Sequence, residues 1–180
     1  MKKILFTLCV ISLAFCVSGN GICGQQAKDT PAKDYLEIGS KLLANESVGG
    51  LKTGISADEA EKIAGAADVK SKPEKWEADG MTHQNRTYKK KGIVLDFLIV
   101  EKKASVSSIE INKSCELKTS RNIGIGSERK EVEKAYANEI DPEASSADDS
   151  RIVAGSVYGG IIFNFEKGRV SSIFIGAAAE

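Results

Sequence analysis

What this chain has least of is histidine. His83 is the only one among 180 residues, so any Ser-His-Asp or Cys-His relay would have to run through it. It stands in a polar stretch with no acid or nucleophile at telling spacing. It reads as a solvent-facing residue, and no catalytic residue is assigned. An excess of charge is missing too: 25 Lys and Arg balance 25 Asp and Glu. A neutral protein has no charge-driven attraction to nucleic acid or anionic lipid over its whole surface. The four cysteines, Cys9, Cys16, Cys23 and Cys115, lack metal-ligand spacing. No metal and no cofactor are expected.

A long apolar run occurs at the start, from Ile4 to Val17, behind Met1-Lys2-Lys3 and ahead of Ser18, Gly19 and Gly21. That three-part layout is a secretory signal peptide, too short for a membrane span. Residues 1–24 are read as the signal and its cleavage region, cut after Gly19, Gly21 or Gly24. Residues 25–32, polar and bearing Pro31, are a linker. The expectation is export to a bacterial periplasm or exterior. Losing Lys2 and Lys3 leaves 23 basic against 25 acidic residues, still near neutral. A lipid anchor needs a small residue before the modified cysteine, yet Cys9, Cys16 and Cys23 follow Leu8, Phe15 and Ile22. A soluble form is favoured, and an outer-membrane-anchored one is the alternative. A cut after Gly19 leaves Cys23 and Cys115 able to pair in an oxidising compartment, whereas a cut after Gly24 leaves Cys115 alone.

In the remainder, residues 33–46 carry Tyr35, Ile38 and Leu42 at helical spacing. Gly39 in that helix costs about 1 kcal/mol relative to Ala. Ser56-Ala57-Asp58-Glu59 is a capping box opening a second helix, which Gly65 ends. Strands are expected over 75–78, 81–90, 93–100 and 106–111, with Asp79-Gly80 as a turn. Ser127 is expected to cap a helix running to about Ala137, and the acidic stretch 138–150 reads as a loop. Strands then follow over 151–157, 160–166 and 169–175.

The order repeats, and so do residues. Gly54, Glu59, Glu61 and Lys62 recur 72 positions later as Gly126, Glu131, Glu133 and Lys134. GIVLDF at Gly92 faces GIIFNF at Gly160, a shift of 68, and the tetrapeptide VSSI at Val106 recurs at Val170, a shift of 64. Each change in shift falls in an expected loop, where insertions cost little. The expectation is an α+β protein of two similar helix-plus-antiparallel-sheet units, residues 33–112 and 113–180.

Strand alternation sorts the faces. Ile93, Leu95, Phe97, Ile109 and Ile111 are assigned to the core with Ile161, Phe163, Phe165, Ile173 and Ile175. The opposite face mixes Val94, Asp96, Leu98, Ser108 and Glu110 with Ile162, Asn164, Ser172 and Phe174. Such a face fits either a half-exposed sheet that meets a partner or a surface through which the two units pack on each other.

The stretches TGISADEAEKIAG and GIGSERKEVEKAYA resemble the helix start of a known repeat. It is shared by the SmpA/OmlA-type (BamE-like) outer-membrane-assembly lipoproteins and the tandem-repeat β-lactamase inhibitor proteins. The resemblance implies helices on an antiparallel sheet and a protein-binding, non-enzymatic role. It also implies Gly54 and Gly126 as turn residues and Ala60 and Val132 as core positions.

Other patterns carry no chemistry. Residues 19–24 match G-x-G-x-x-G at the export cleavage site, outside any βαβ unit. Asp141, Glu143, Asp148 and Asp149 miss the spacing of a calcium loop. The basic run Arg86, Lys89, Lys90 and Lys91 reads as a charged edge that discourages aggregation. The expected role is to bind another protein, of unknown identity, through Trp76, Tyr88, Tyr158, Ile162 and Phe174, since aromatic anchors dominate interfaces. The alternative is a structural, lipid-anchored component of envelope assembly, membrane-bound only if lipidated.

Overall fold

Asp34 opens the described chain's first helix by accepting the backbone N–H groups of Leu36 and Glu37. The computed structural model describes residues 33–178. The signal peptide, the linker and Cys23 lie outside the described residues. Helix α1 is Tyr35–Asn45, and α2 is Ala57–Ala64. The Ser56/Glu59 capping box forms, and Gly65 ends α2 with φ 80°. Short strands β1 (Val69–Lys70) and β2 (Glu74–Lys75) precede β3 (Thr82–Tyr88), a single 3-10 turn, β4 (Ile93–Val100) and β5 (Lys103–Ile111). Helix α3 (Arg129–Ala135), β6 (Ile140–Asp141), β7 (Arg151–Ser156), β8 (Gly159–Glu166) and β9 (Arg169–Gly176) follow. The cap of α3 is Glu128, not Ser127. Glu128 and Glu131 form a reciprocal box, while the Ser127 hydroxyl accepts the Gly124 N–H one turn earlier.

All the strands join one antiparallel sheet in the order β1-β3-β4-β5-β9-β8-β7-β6, with β2 also on β3. Two meanders, β3-β4-β5 and β7-β8-β9, therefore meet along their closing strands. The seam pairs Ile109 with Ile175, Glu110 with Phe174 and Ile111 with Ile173. The pairing is symmetric about Glu110–Phe174, the one pair in corresponding places of the two VSSI-bearing strands: Ile109 faces the counterpart of Ile111, and Ile111 the counterpart of Ile109.

The VSSI tetrapeptides explain themselves here. Val106 and Ile109 are both buried in the core although three positions apart, which regular alternation forbids. A β-bulge resolves the conflict. Asp96 pairs with Ser108 and Phe97 with Val106, so Ser107 is the extra residue. In the other meander Asn164 pairs with Ser172 and Phe165 with Val170, so Ser171 is extra. The approach of the following helix also matches. Gly54 and Gly126, at φ 83° and 85°, donate to Val106 and Val170 carbonyls, and Ile55 and Ser127 carbonyls accept from the same two valines.

The core-facing residues expected on β4, β5, β8 and β9 are all buried, and Ala60 and Val132 are fully so. They form one cluster with buried residues of all three helices. Each fully buried aliphatic side chain contributes roughly 1.5–3 kcal/mol. Helix α1 packs against β7 and β8 rather than on the meander that follows it. Gly39 makes this possible, because its missing side chain lets the helix lie on the backbone of Gly155 and Gly159.

Candidate functional site

The sheet's outer face, opposite the helices, holds a cluster that sequence spacing did not reveal. In β3 the outward residues alternate as His83, Asn85 and Thr87, and cross-strand pairing sets His83 diagonal to Asp96 of β4. The Asp79-Gly80 turn brings Trp76 and Asp79 back over β3. His83 is not solvent-facing: it is 5% exposed. Its Nδ1 lies 2.6 Å from Asp96 Oδ2 and its Nε2 2.9 Å from Asp79 Oδ2. The Trp76 ring stacks on it with centroids 3.9 Å apart and 7° between planes. Because each ring nitrogen meets a carboxylate, which can only accept, both carry hydrogen and the ring is an imidazolium. Burial alone would lower the His83 pKa, but the hydrogen bonds and charges of Asp96 and Asp79 outweigh it and raise the value. The Met81 N–H and His83 hold Asp79 below its ordinary value.

Ser107, the bulge residue, donates to the same Asp96 Oδ2. Ser107, His83 and Asp96 thus come together, but not as a nucleophilic relay. Such a relay needs the hydroxyl on a ring nitrogen. Here hydroxyl and Nδ1 converge on one carboxylate oxygen, and Asp79 occupies Nε2. No ring nitrogen is left to accept the hydroxyl proton.

The other oxygen, Asp96 Oδ1, is buried and has no hydrogen-bond partner among the described residues. An unsatisfied buried acceptor costs about 1–3 kcal/mol, more when charged. Asp96 lines an open cavity of about 220 Å³ with Trp76, Asp79, His83, Ser107 and Ser108; Leu98 and Ala177 supply its apolar wall. In the second meander the corresponding residue is Asn164, whose amide nitrogen donates to Ser172 Oγ at 2.9 Å. The charge is confined to one half.

The residues expected to bind a partner are placed unequally. Ile162 and Phe174 are cross-strand neighbours on the outer face, each half-buried. Trp76 is 39% exposed above His83, and Tyr158, in the β7–β8 turn, is 68% exposed. Tyr88 is not on a contact surface: it is 2% exposed and paired with Ile93 in the core. Its partner in β4 shows why, since a residue opposite core-facing Ile93 shares its face. Arg86 likewise turns inward, 4.3 Å from the Phe97 ring centroid, and is no edge charge.

Glu46 forms a second polar cluster inside the fold. It is 3% exposed and accepts from Tyr136 at 2.8 Å, from the N–H groups of Ser47 and Ser120, and from the Ser120 hydroxyl. Burial would raise its pKa, but these donors more than compensate and lower it. They make it a pin between α1, α3 and the chain between the meanders. Cys115 is buried, and burial raises its thiol pKa; its expected partner Cys23 lies outside the described residues. No group of three or more His, Cys, Asp or Glu among the described residues is placed to hold a metal. The acidic stretch 138–150, expected as a loop, contains the short strand β6, and Asp141 and Asp148 accept backbone N–H groups of the turns that follow them. The chain matches no protein-family model, no curated protein and no solved structure.

Proposed function

We propose that this chain is an exported, non-enzymatic protein-binding module of two similar units in tandem, an inhibitor or adaptor that contacts its partner through the outer face of its sheet. One observation carries the reading. The buried residues of all three helices belong to the inner-face cluster, while Phe174 and Ile162 remain half-exposed side by side on the other face. Polar Glu110, Asn164 and Ser172 flank them. An aromatic–aliphatic centre in a polar rim is the usual anatomy of a protein interface.

The tandem reading is supported by the paired bulges, the paired glycine turns and the symmetric seam. The resemblance to the outer-membrane-assembly lipoproteins and β-lactamase inhibitor proteins agrees with it in kind. The non-enzymatic reading is supported by the Asp79 and Asp96 contacts that occupy both nitrogens of the sole histidine. Export rests on residues 1–24 as a sequence pattern.

The test is a pull-down from the source cell's envelope and medium with the mature chain as bait, alongside Phe174→Ser. A partner retained by the wild type and lost at Phe174→Ser is expected. A partner held equally by both removes the outer face from the proposal. The amino terminus of the mature protein, read by mass spectrometry, checks export in the same sample. A lipid mass on Cys16 or Cys23 there would favour the envelope-assembly alternative.

A further inference from the structure

We propose that the outer-face cavity beside Trp76 is a binding site for a cation bearing N–H donors, an alkylammonium or guanidinium group. Four observations converge on this chemistry. Asp96 lines the cavity, and its buried oxygen Oδ1 has no partner among the described residues, so a donor is what the site lacks. Two carboxylates, Asp79 and Asp96, face one imidazolium, which leaves the cluster with one negative charge in excess and one positive charge short of balance. That imidazolium has both N–H groups engaged, so it offers nothing to an anion. Trp76 adds an aromatic ring at the cavity, which attracts cations but not carboxylates or phosphates.

The ligand's nitrogen is placed by this logic at Asp96 Oδ1. Its alkyl portion lies along Leu98 and Ala177. Two sources share that chemistry, a lysine or arginine side chain of a protein and a free amine. The inference goes beyond the protein-binding reading and does not need it, since a small cation alone suffices to fill the site.

Trp76 is the sole tryptophan of the chain, so its fluorescence reports the cavity directly. The probe is propylammonium chloride titrated into the full mature chain at about pH 6, where His83 is charged. Sodium chloride at matched ionic strength and tetramethylammonium chloride, which has no N–H, are the controls. A saturable fluorescence change is expected with propylammonium, about tenfold or more weaker with tetramethylammonium.

Asp96→Asn should abolish the response. Should that variant fail to fold, Ala177→Leu decides, because it adds bulk to the cavity's lining from an exposed position and touches none of the cluster's hydrogen bonds. Its circular dichroism should be unchanged and its response lost. A response no larger than that of sodium chloride, or an Ala177→Leu protein that titrates like the wild type, overturns the proposal. A lysine blocked at both ends binding more tightly than propylammonium assigns the site to a protein side chain; the reverse order assigns it to a free amine. No protein partner enters this titration, so its failure and that of the Phe174→Ser pull-down are separable.

Discussion

At the scale of single residues, His83 ties stability to pH. Its pKa in the folded chain lies above the ordinary 6.5 because Asp96 and Asp79 hold its charged form. The folded protein therefore binds this proton more tightly than the unfolded chain does. The resulting stabilisation is complete below about pH 6 and fades as pH rises through the folded value. Thermal melts of the wild type and of His83→Gln across about pH 5.5 to 9 should show the wild type's advantage shrinking toward alkaline pH. Parallel curves would disprove the buried ion cluster. This residue was the least legible in the sequence. Asp96 is 13 positions away and Ser107 24, and neither separation has meaning until β3, β4 and β5 are placed side by side. The clue was the Asp79-Gly80 turn, which returns the chain over its own strand. Tyr88 and Arg86 were misplaced for a related reason. The polar stretch 81–90 has no hydrophobic alternation to set its phase, so only the pairing with β4 could fix which side chains turn inward.

Among elements, α1 illustrates how local propensity and packing pull in opposite directions. Read as a helix, it is weakened by Gly39, and Gly39→Ala would gain about 1 kcal/mol of intrinsic helix stability. Read as a packed helix, the same methyl would overlap the Gly159 carbonyl oxygen. That oxygen belongs to backbone and cannot swing aside, so the overlap dominates. A net loss of about 2 kcal/mol or more is expected from denaturant titration of Gly39→Ala. An unchanged or raised midpoint would mean the helix does not sit on the β7–β8 hairpin. The strands were more legible than the helices' destinations. The alternation of Ile93, Leu95 and Phe97 and of Ile161, Phe163 and Phe165 marks the core face directly. The bulge is also written in the chain, as two core residues separated by two serines, a break in period as well as a repeat. Which meander α1 would cover was not legible, since an apolar stripe says that a helix packs and not on what.

For the whole molecule, the two meanders are interlocked, not merely adjacent. Helix α1 precedes the first meander but covers strands of the second, Glu46 binds Tyr136 and Ser120 across the same divide, and one core cluster runs through both. The chain should therefore unfold in one step. Trp76 lies before β3 and reports the first meander only, whereas far-ultraviolet circular dichroism reports both. Their midpoints in urea should coincide. Separated midpoints would mean two halves of independent stability. The joint between the halves has a further consequence. Two strand edges meeting side by side is the contact through which sheets aggregate into fibres. This chain makes that contact once, within itself, at β5 and β9. Its outward edges then end in the two-residue strands β1, β2 and β6, and Ser71 bridges the gap between β1 and β2 by bonding Asn85. The sheet is in effect a polymer stopped at two, closed at each end by strands too short to recruit a third.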